Sequence, residues 1–165
     1  MRHRVLLAPL VVAASLLAAC TGHGQQPASG QASLSGASNG CAGQPPVSSL
    51  PTWARAGFTP PDVAMPHVTG ASGNIVAILW RPKNALHAPP LPTMNNKILW
   101  VSRVSADGPG PLVIRATLAG STRTAAVSLP DGPGPSYVNL PAPGCWTLHL
   151  SWGGHTDRLM LRYVS

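Results

Sequence analysis

Cys145-Trp-Thr-Leu-His-Leu-Ser-Trp-Gly-Gly-His-Thr-Asp-Arg-Leu-Met-Leu-Arg-Tyr-Val164 is the stretch of sequence that decides the fold. Large apolar residues fill the even positions of 146–152 with polar residues between them, and this period of two is typical of a half-buried β-strand. The odd positions of 159–163 repeat the pattern. Residues 153–156, Gly-Gly-His-Thr, predict a short hairpin connection, because glycine adopts the positive φ that tight turns need. We therefore expect two antiparallel strands that bury one face each.

Five further segments have the length and apolar content of short strands, at 74–80, 97–104, 111–118, 124–129 and 136–140. Glycine and proline separate them, and about seven short strands with such turns are typical of a sandwich. The predicted fold class is therefore all-β, an immunoglobulin-like antiparallel β-sandwich of about seven strands with one disulfide.

Two kinds of connection stand out between these segments. Asp107-Gly-Pro-Gly-Pro111 recurs as Asp131-Gly-Pro-Gly-Pro135, and because Asp and Gly accept unusual backbone angles while Pro fixes φ, both copies predict corners between strands. Residues 42–73 and 81–96 are rich in proline and are predicted to be irregular loops, the first anchored on a sheet face by Trp53 and Phe58. Long loops of a domain are often functional, so a binding surface is expected there.

The first 20 residues have the three parts of a secretory signal: a basic head with Arg2 and Arg4, an apolar middle and an end of small residues. The apolar part is about 15 residues long, whereas a membrane-spanning helix needs roughly 20. We predict a signal peptide over residues 1–19 and no permanent transmembrane helix.

The end of this segment, Leu17-Ala18-Ala19-Cys20, resembles the lipobox of bacterial lipoproteins. The resemblance implies that the Cys20 thiol receives a diacylglycerol, that the chain is cut just before it, and that the new amino terminus is acylated, for example with palmitate. Two or more acyl chains anchor a protein stably where one is marginal. The expected localisation is the extracytoplasmic face of the cell membrane. An ordinary secretory signal that happens to contain a cysteine is the alternative.

The chain after the predicted cleavage site divides into two parts. Residues 20–40 begin with the lipidated cysteine and are rich in Gly, Ser and Gln, which predicts a flexible tether. Residues 41–165 predict one β-sandwich domain of a size that can bury a real core. Its basic residues are scattered without a run, which favours solvated surface charges over nucleic-acid binding.

Cysteine pairing follows from the predicted lipidation. With Cys20 acylated, Cys41 and Cys145 remain as an even pair in an oxidising compartment, where disulfides persist. A free thiol and a metal-ligating pair are the alternatives. Because no C-x-x-C spacing is present, we predict the Cys41–Cys145 disulfide.

Residues suited to catalysis are few in the domain. It has four Asp and no Glu, so a paired-carboxylate mechanism has little support. His155 lies two residues from Asp157 and leaves a Ser-His-Asp arrangement open, but no G-x-S-x-G motif accompanies them. We predict a protein that is not an enzyme and holds no cofactor.

Soft-metal binding is the alternative function. Met65, His67, His87 and Met94 all fall in the predicted loops, and exported copper carriers use thioether and imidazole ligands. Methionines that fill gaps and histidines on the surface would explain the same residues, since the spacing matches no copper motif.

Tryptophans supply the remaining candidates for a binding surface, namely Trp53, Trp80 and Trp100, with core packing as the alternative role. Gly144-Cys145-Trp146 with Trp152, and the stretch 96–100 (Asn-Lys-Ile-Leu-Trp), resemble small uncharacterised lipoproteins of high-GC bacteria, a resemblance that implies no activity. The predicted function is a membrane-anchored, non-enzymatic module that interacts with or binds a component of the envelope, either another protein or a cell-wall polymer.

Overall fold

The computed structural model describes residues 41, 43–59, 63–80, 85–92 and 96–165. The predicted signal peptide, Cys20 and the tether lie outside these described residues, as does Met94. All structural statements below concern the described part of the chain.

The described residues form ten strands and one 3₁₀ helix at Thr52–Ala54. The strands are β1 (Val47–Ser49), β2 (Ala64–Thr69), β3 (Ile75–Leu79), β4 (Leu86–His87), β5 (Lys97–Ser102), β6 (Leu112–Leu118), β7 (Thr124–Leu129), β8 (Pro135–Tyr137), β9 (Gly144–Trp152) and β10 (His155–Val164). Sheet 1 has the order β1-β2-β3-β5-β8, and sheet 2 has the order β4-β10-β9-β6-β7. Among the described strands, only the β4–β10 pair is parallel. The all-β, sandwich-like fold is confirmed, and its immunoglobulin-like type stays a prediction.

The seven predicted strands are all present, but three more strands lie in the segments predicted to be irregular. β1 and β2 lie within 42–73 and β4 lies within 81–96, so that part of the prediction is wrong. β2 contains Pro66, which pairs with Val47 of the edge strand β1 and precedes the ladder with β3, which begins at His67. Its missing N–H therefore breaks no bond of the β2–β3 ladder. β4 has two residues, too few to show a period of two, and it forms only because the end of β10 lies beside it.

The hairpin of β9 and β10 is confirmed. Trp152 pairs with His155, so the connection is the dipeptide Gly153-Gly154 rather than the four predicted residues. Both glycines have positive φ, +44° and +78°, as a two-residue hairpin turn requires. The alternating apolar residues of both strands are buried between the sheets (Trp146, Leu148, Leu150, Trp152, Leu159, Leu161 and Tyr163).

Polar atoms inside this core have partners. The indole N–H of Trp146 donates to the Ala142 carbonyl at 2.9 Å, as a buried indole requires. The Tyr163 hydroxyl donates to the Val138 carbonyl at 2.8 Å and so links β10 to the residues after β8. Burial raises the pKa of the Tyr163 phenol above its usual range, because the charged form would lose its hydration.

A second apolar cluster lies on the outer face of sheet 1. Every residue of β3 is buried, because Val76 and Ile78 point away from the main core and are covered by Leu50 and Ala54. Trp53 and Phe58 pack on the same cluster, which confirms that they anchor this stretch on a sheet face. The continuous apolar run of β3 is therefore explained by cover on both of its faces.

Both copies of the Asp-Gly-Pro-Gly-Pro sequence lie where the chain changes sheets. The first connects β5 of sheet 1 to β6 of sheet 2, and the second connects β7 of sheet 2 to β8 of sheet 1. The two loops also approach each other, since a Cβ on Gly132 would lie 3.1 Å from the Gly110 carbonyl oxygen. The predicted corners between strands are confirmed.

Two further links tie distant parts of the chain together. The Cys41–Cys145 disulfide is confirmed, with a Cα–Cα distance of 5.3 Å and a sequence separation of 104 residues. The carboxylate of Asp157 on β10 accepts backbone N–H groups from the turn between β2 and β3, at 2.9 Å from Ser72 and 3.1 Å from Asn74. This carboxylate therefore joins sheet 2 to sheet 1.

Candidate functional site

The three tryptophans singled out in the sequence occupy three different environments. Trp100 is 1 % exposed in the main core, where its indole N–H donates to the Ser136 hydroxyl. It is therefore not part of a surface and has the core-packing role that the sequence left open as the alternative. Trp53 is half-buried against the outer cluster of sheet 1. Trp80 is 42 % exposed. A candidate surface therefore has to be built around Trp80 from neighbours other than Trp100.

The register of sheet 1 places two side chains beside Trp80. Leu79 pairs with Ile98, so the next residue, Trp80, lies opposite Lys97. The backbone N–H of Trp80 donates to the Lys97 carbonyl at 3.4 Å. Lys97 pairs in turn with Tyr137, the last residue of the edge strand β8. Leu79 and Ile98 point into the core, and because side chains alternate along a strand, Trp80 and Lys97 point outwards.

Tyr137 points outwards by the same reasoning, because the preceding Ser136 faces inwards and accepts the indole N–H of Trp100. Tyr137 is 54 % exposed. The three side chains thus form one row across β3, β5 and β8, on the outer face of sheet 1.

Two side-chain contacts link Trp80 to Lys97 and to Phe58. The Lys97 Nζ lies 4.8 Å from the centroid of the Trp80 ring, within the range of a cation–π interaction. The Phe58 ring lies 6.4 Å from the Trp80 ring at an interplanar angle of 40°. We call Phe58, Trp80, Lys97 and Tyr137 the aromatic ledge.

The aromatic ledge combines flat apolar surface with hydrogen-bond donors. Tryptophan and tyrosine each present an apolar ring and one polar group, and lysine adds an ammonium with three donors. Of the large hydrophobic side chains that are exposed in the described residues, only Val47 lies outside the ledge. Such a surface suits a ligand with a flat apolar face and oxygen atoms at its edge.

The residues considered for soft-metal binding lie on different sheets. Met65 and His67 are on β2 and His87 is on β4, in strands rather than in the predicted loops. The Nδ1 atom of His67 is 2.9 Å from the Met65 carbonyl, and that of His87 is 3.1 Å from the Ser165 carbonyl. Among the described residues, no group of three or more His, Cys, Asp or Glu side chains is placed to hold a metal ion.

His155 and Asp157 have separate partners. The Nε2 atom of His155 lies 2.9 Å from the Ser105 carbonyl, and its ring lies 5.9 Å from that of Trp152. The Asp157 carboxylate is bonded to backbone N–H groups, as described above. The Ser-His-Asp arrangement left open by the sequence is not formed by these two residues.

Lys97 and Tyr137 are the ledge residues that the sequence did not single out. A signal for Lys97 exists, because it begins a strand in which the even positions, Ile98 and Trp100, are apolar and core-facing. No signal within the sequence places Tyr137 beside it, since β5 and β8 are far apart in the chain and meet only through sheet pairing.

Comparison with protein-family models, with curated proteins and with solved structures finds no match to this chain. In the part of the chain that the structure describes, no helix is long and apolar enough to cross a membrane.

Proposed function

We propose that this chain is a membrane-anchored extracytoplasmic lipoprotein whose domain binds an envelope ligand through the aromatic ledge, without catalysis. The observation that carries the binding role is the exposure of Trp80 (42 %) and Tyr137 (54 %) on either side of Lys97. The anchoring role rests on the sequence of residues 1–20 and its lipobox at Cys20.

A cell-wall glycan fits the aromatic ledge better than a protein partner does. A stable protein interface buries about 800 Å² on each partner and involves roughly 20–30 residues a side. The ledge has four side chains, and one of them carries a full charge. Sugar rings have an apolar face that stacks on an aromatic ring, and their hydroxyl oxygens accept hydrogen bonds from donors such as the Lys97 ammonium. The ligand class that we propose is therefore a polymer of sugar rings.

Co-sedimentation with purified cell-wall polymer tests this role. The exported chain would be used with Cys20→Ala, so that no lipid anchor contributes to sedimentation. We expect Trp80→Ala and Tyr137→Ala each to weaken binding by roughly tenfold, the size of loss typical of an aromatic anchor. Val47→Ala is the matched control, because Val47 is an exposed apolar residue (55 %) on the opposite edge of sheet 1.

The outcome is decided by the difference between these variants. The proposal is supported if Trp80→Ala and Tyr137→Ala lose binding to the polymer while Val47→Ala retains it. Equal sedimentation of all three variants would show that the ledge is not the binding surface. Thermal unfolding of each variant checks that the fold is retained, which is expected because both aromatic side chains are exposed.

Fractionation tests the anchor separately. The wild-type chain is expected in the membrane fraction and to incorporate a labelled fatty acid, whereas Cys20→Ala is expected in the soluble fraction without label. Cys41→Ala serves as the control, since it removes a cysteine outside the lipobox. Fatty-acid labelling of Cys20→Ala at the wild-type level would refute lipidation at this residue.

A further inference from the structure

Sheet 2 carries a row of basic side chains on its outer face. Arg115 on β6 pairs with His149 on β9, and His149 pairs with Arg158 on β10. All three are exposed, because they alternate with the buried residues of their strands. Residues paired across an antiparallel sheet have Cβ atoms about 5 Å apart, so the three side chains are direct neighbours.

No acidic side chain lies on this face of β6, β7, β9 or β10. Arg115 and Arg158 each carry a positive charge and pair with the same residue, His149, so no acid stands between them. Within the described residues, Asp107 and Asp131 lie in the loops that change sheets, and Asp157 points inwards. The side chains of Arg115, His149 and Arg158 have no hydrogen bond or ion pair in the described part of the chain. Within the described residues, no acidic side chain is therefore paired with the row.

The row lies in an open cleft of about 490 Å³ rather than on a flat face. Hydroxyl groups line the cleft beside the basic residues: Ser151 and Thr156 from the neighbouring register pair, and Ser72 from the turn between β2 and β3. We call these six residues the basic cleft (Ser72, Arg115, His149, Ser151, Thr156 and Arg158).

Two bonds fix the rim of the basic cleft. The backbone N–H of Ala71 donates to the Arg158 carbonyl at 2.8 Å, and that of Ser72 donates to Asp157 at 2.9 Å. Asp157 also lines the cleft, but it is only 7 % exposed and its oxygens accept three backbone N–H groups. The carboxylate therefore holds the turn in place, and its oxygens are bonded to backbone N–H groups rather than to the arginines.

We propose that the basic cleft binds a phosphate group. Two arginines separated by two strand spacings, about 10 Å between their backbones, flank His149 and can both reach a group that sits above it. Guanidinium groups match the oxygens of phosphate in a bidentate way, and the three hydroxyls supply further donors around a tetrahedral anion. This site is on the other sheet from the aromatic ledge and does not depend on the proposed function.

A phosphate group is present both in free inorganic phosphate and in the headgroups of anionic lipids. The experiment therefore has two arms, both with the exported Cys20→Ala chain. In the first, inorganic phosphate is titrated at constant ionic strength and the backbone amides are followed by NMR. In the second, the chain is sedimented with vesicles of phosphatidylglycerol and, for comparison, of phosphatidylcholine.

Arg115→Gln and Arg158→Gln are the test variants, and Arg123→Gln is the matched control. Arg123 is exposed in the turn before β7, outside the basic cleft, so its removal changes the net charge equally. We expect each test variant to lower the affinity roughly tenfold, the loss of one charge-assisted contact, and the control to leave it unchanged.

Each outcome decides the proposal. The proposal is supported, with free phosphate as a sufficient ligand, if phosphate shifts the amide signals of the basic cleft and this effect weakens only in the test variants. Sedimentation with phosphatidylglycerol vesicles, lost in the same variants, supports it with a lipid headgroup as the source. An equal effect of all three substitutions in both arms would show only general charge attraction and would overturn it. Absence of binding in both arms would overturn it as well.

Discussion

Replacing Asp157 is the sharpest test of how the two sheets are joined. Its carboxylate accepts three backbone N–H groups, from Ser72 at 2.9 Å, Asn74 at 3.1 Å and Arg158 at 2.7 Å. The first two belong to the turn between β2 and β3 in sheet 1, whereas Asp157 itself is on β10 in sheet 2. Asp157→Ala removes every one of these bonds at once.

The size of the effect follows from the burial of the group. A buried donor that loses its partner costs about 1–3 kcal/mol, and bonds to a charged group lie at the upper end. Ser72 is exposed, so its N–H regains water and contributes less. We expect Asp157→Ala to lower the free energy of unfolding by about 3–5 kcal/mol, and Asp157→Asn, which keeps one acceptor oxygen, by about 2–3 kcal/mol. Domains are commonly stable by only about 5–15 kcal/mol, so the loss is large.

Urea unfolding measures this loss directly. The midpoint for Asp157→Ala is expected to fall by about 2 M with an unchanged slope. Asp131→Ala and Asp131→Asn are the controls, because Asp131 is an exposed acid in a loop and surface substitutions change stability by about 0.5 kcal/mol or less. If the Asp157 and Asp131 variants unfold at the same urea concentration, the carboxylate does not join the sheets and the reasoning is wrong.

Three further predictions concern stability. Replacing Cys41 and Cys145 together by Ser is expected to lower the free energy of unfolding by about 4 kcal/mol, because the disulfide closes a long loop. Urea unfolding without reductant measures this loss, and a loss below about 1 kcal/mol would contradict the expectation. Gly70→Ala is expected to lower stability by about 1–3 kcal/mol, because a Cβ there would overlap the Asp157 carboxylate, whereas Gly110→Ala, with no atom within 4 Å of its Cβ, should change the thermal midpoint little. Burial raises the pKa of Tyr163, so the folded state favours the neutral phenol. The stability that this contributes is complete below the ordinary pKa of about 10 and is lost as the pH rises above it. The free energy of unfolding should therefore fall less over that pH range in Tyr163→Phe than in the wild type.

The sequence was sufficient to predict the elements that depend on local pattern. The hairpin of β9 and β10 has a strict alternation on both strands and a pair of glycines between them, so strand type, buried face and pairing were all predictable. The disulfide was predictable by counting cysteines. β1 and β4 were not, because they have only three and two residues, and β4 forms only beside the distant strand β10. β2 was not, because Pro66 lies within it and disfavours a strand.

The candidate site shows where sequence patterns stop being sufficient. Trp80 ends one apolar run and Trp100 lies within another, yet Trp80 is exposed and Trp100 is in the core. On β5 the polar Lys97 fixes which alternate residues face inwards, so the burial of Trp100 could have been predicted. On β3 both faces are covered, the run is apolar throughout, and nothing in it indicates on which face Trp80 lies.

The disulfide also determines how the domain would respond to mechanical force. On the proposed lipid anchor, tension reaches the domain from its amino-terminal side, where β1 is a three-residue edge strand held by three register pairs. Tension entering there would peel that strand away one pair at a time. Cys145 is the second residue of β9, the middle strand of sheet 2, which has nine register pairs with β10 and six with β6. The bond to Cys41 transfers the tension to this strand, which can move only by shearing both of its ladders together.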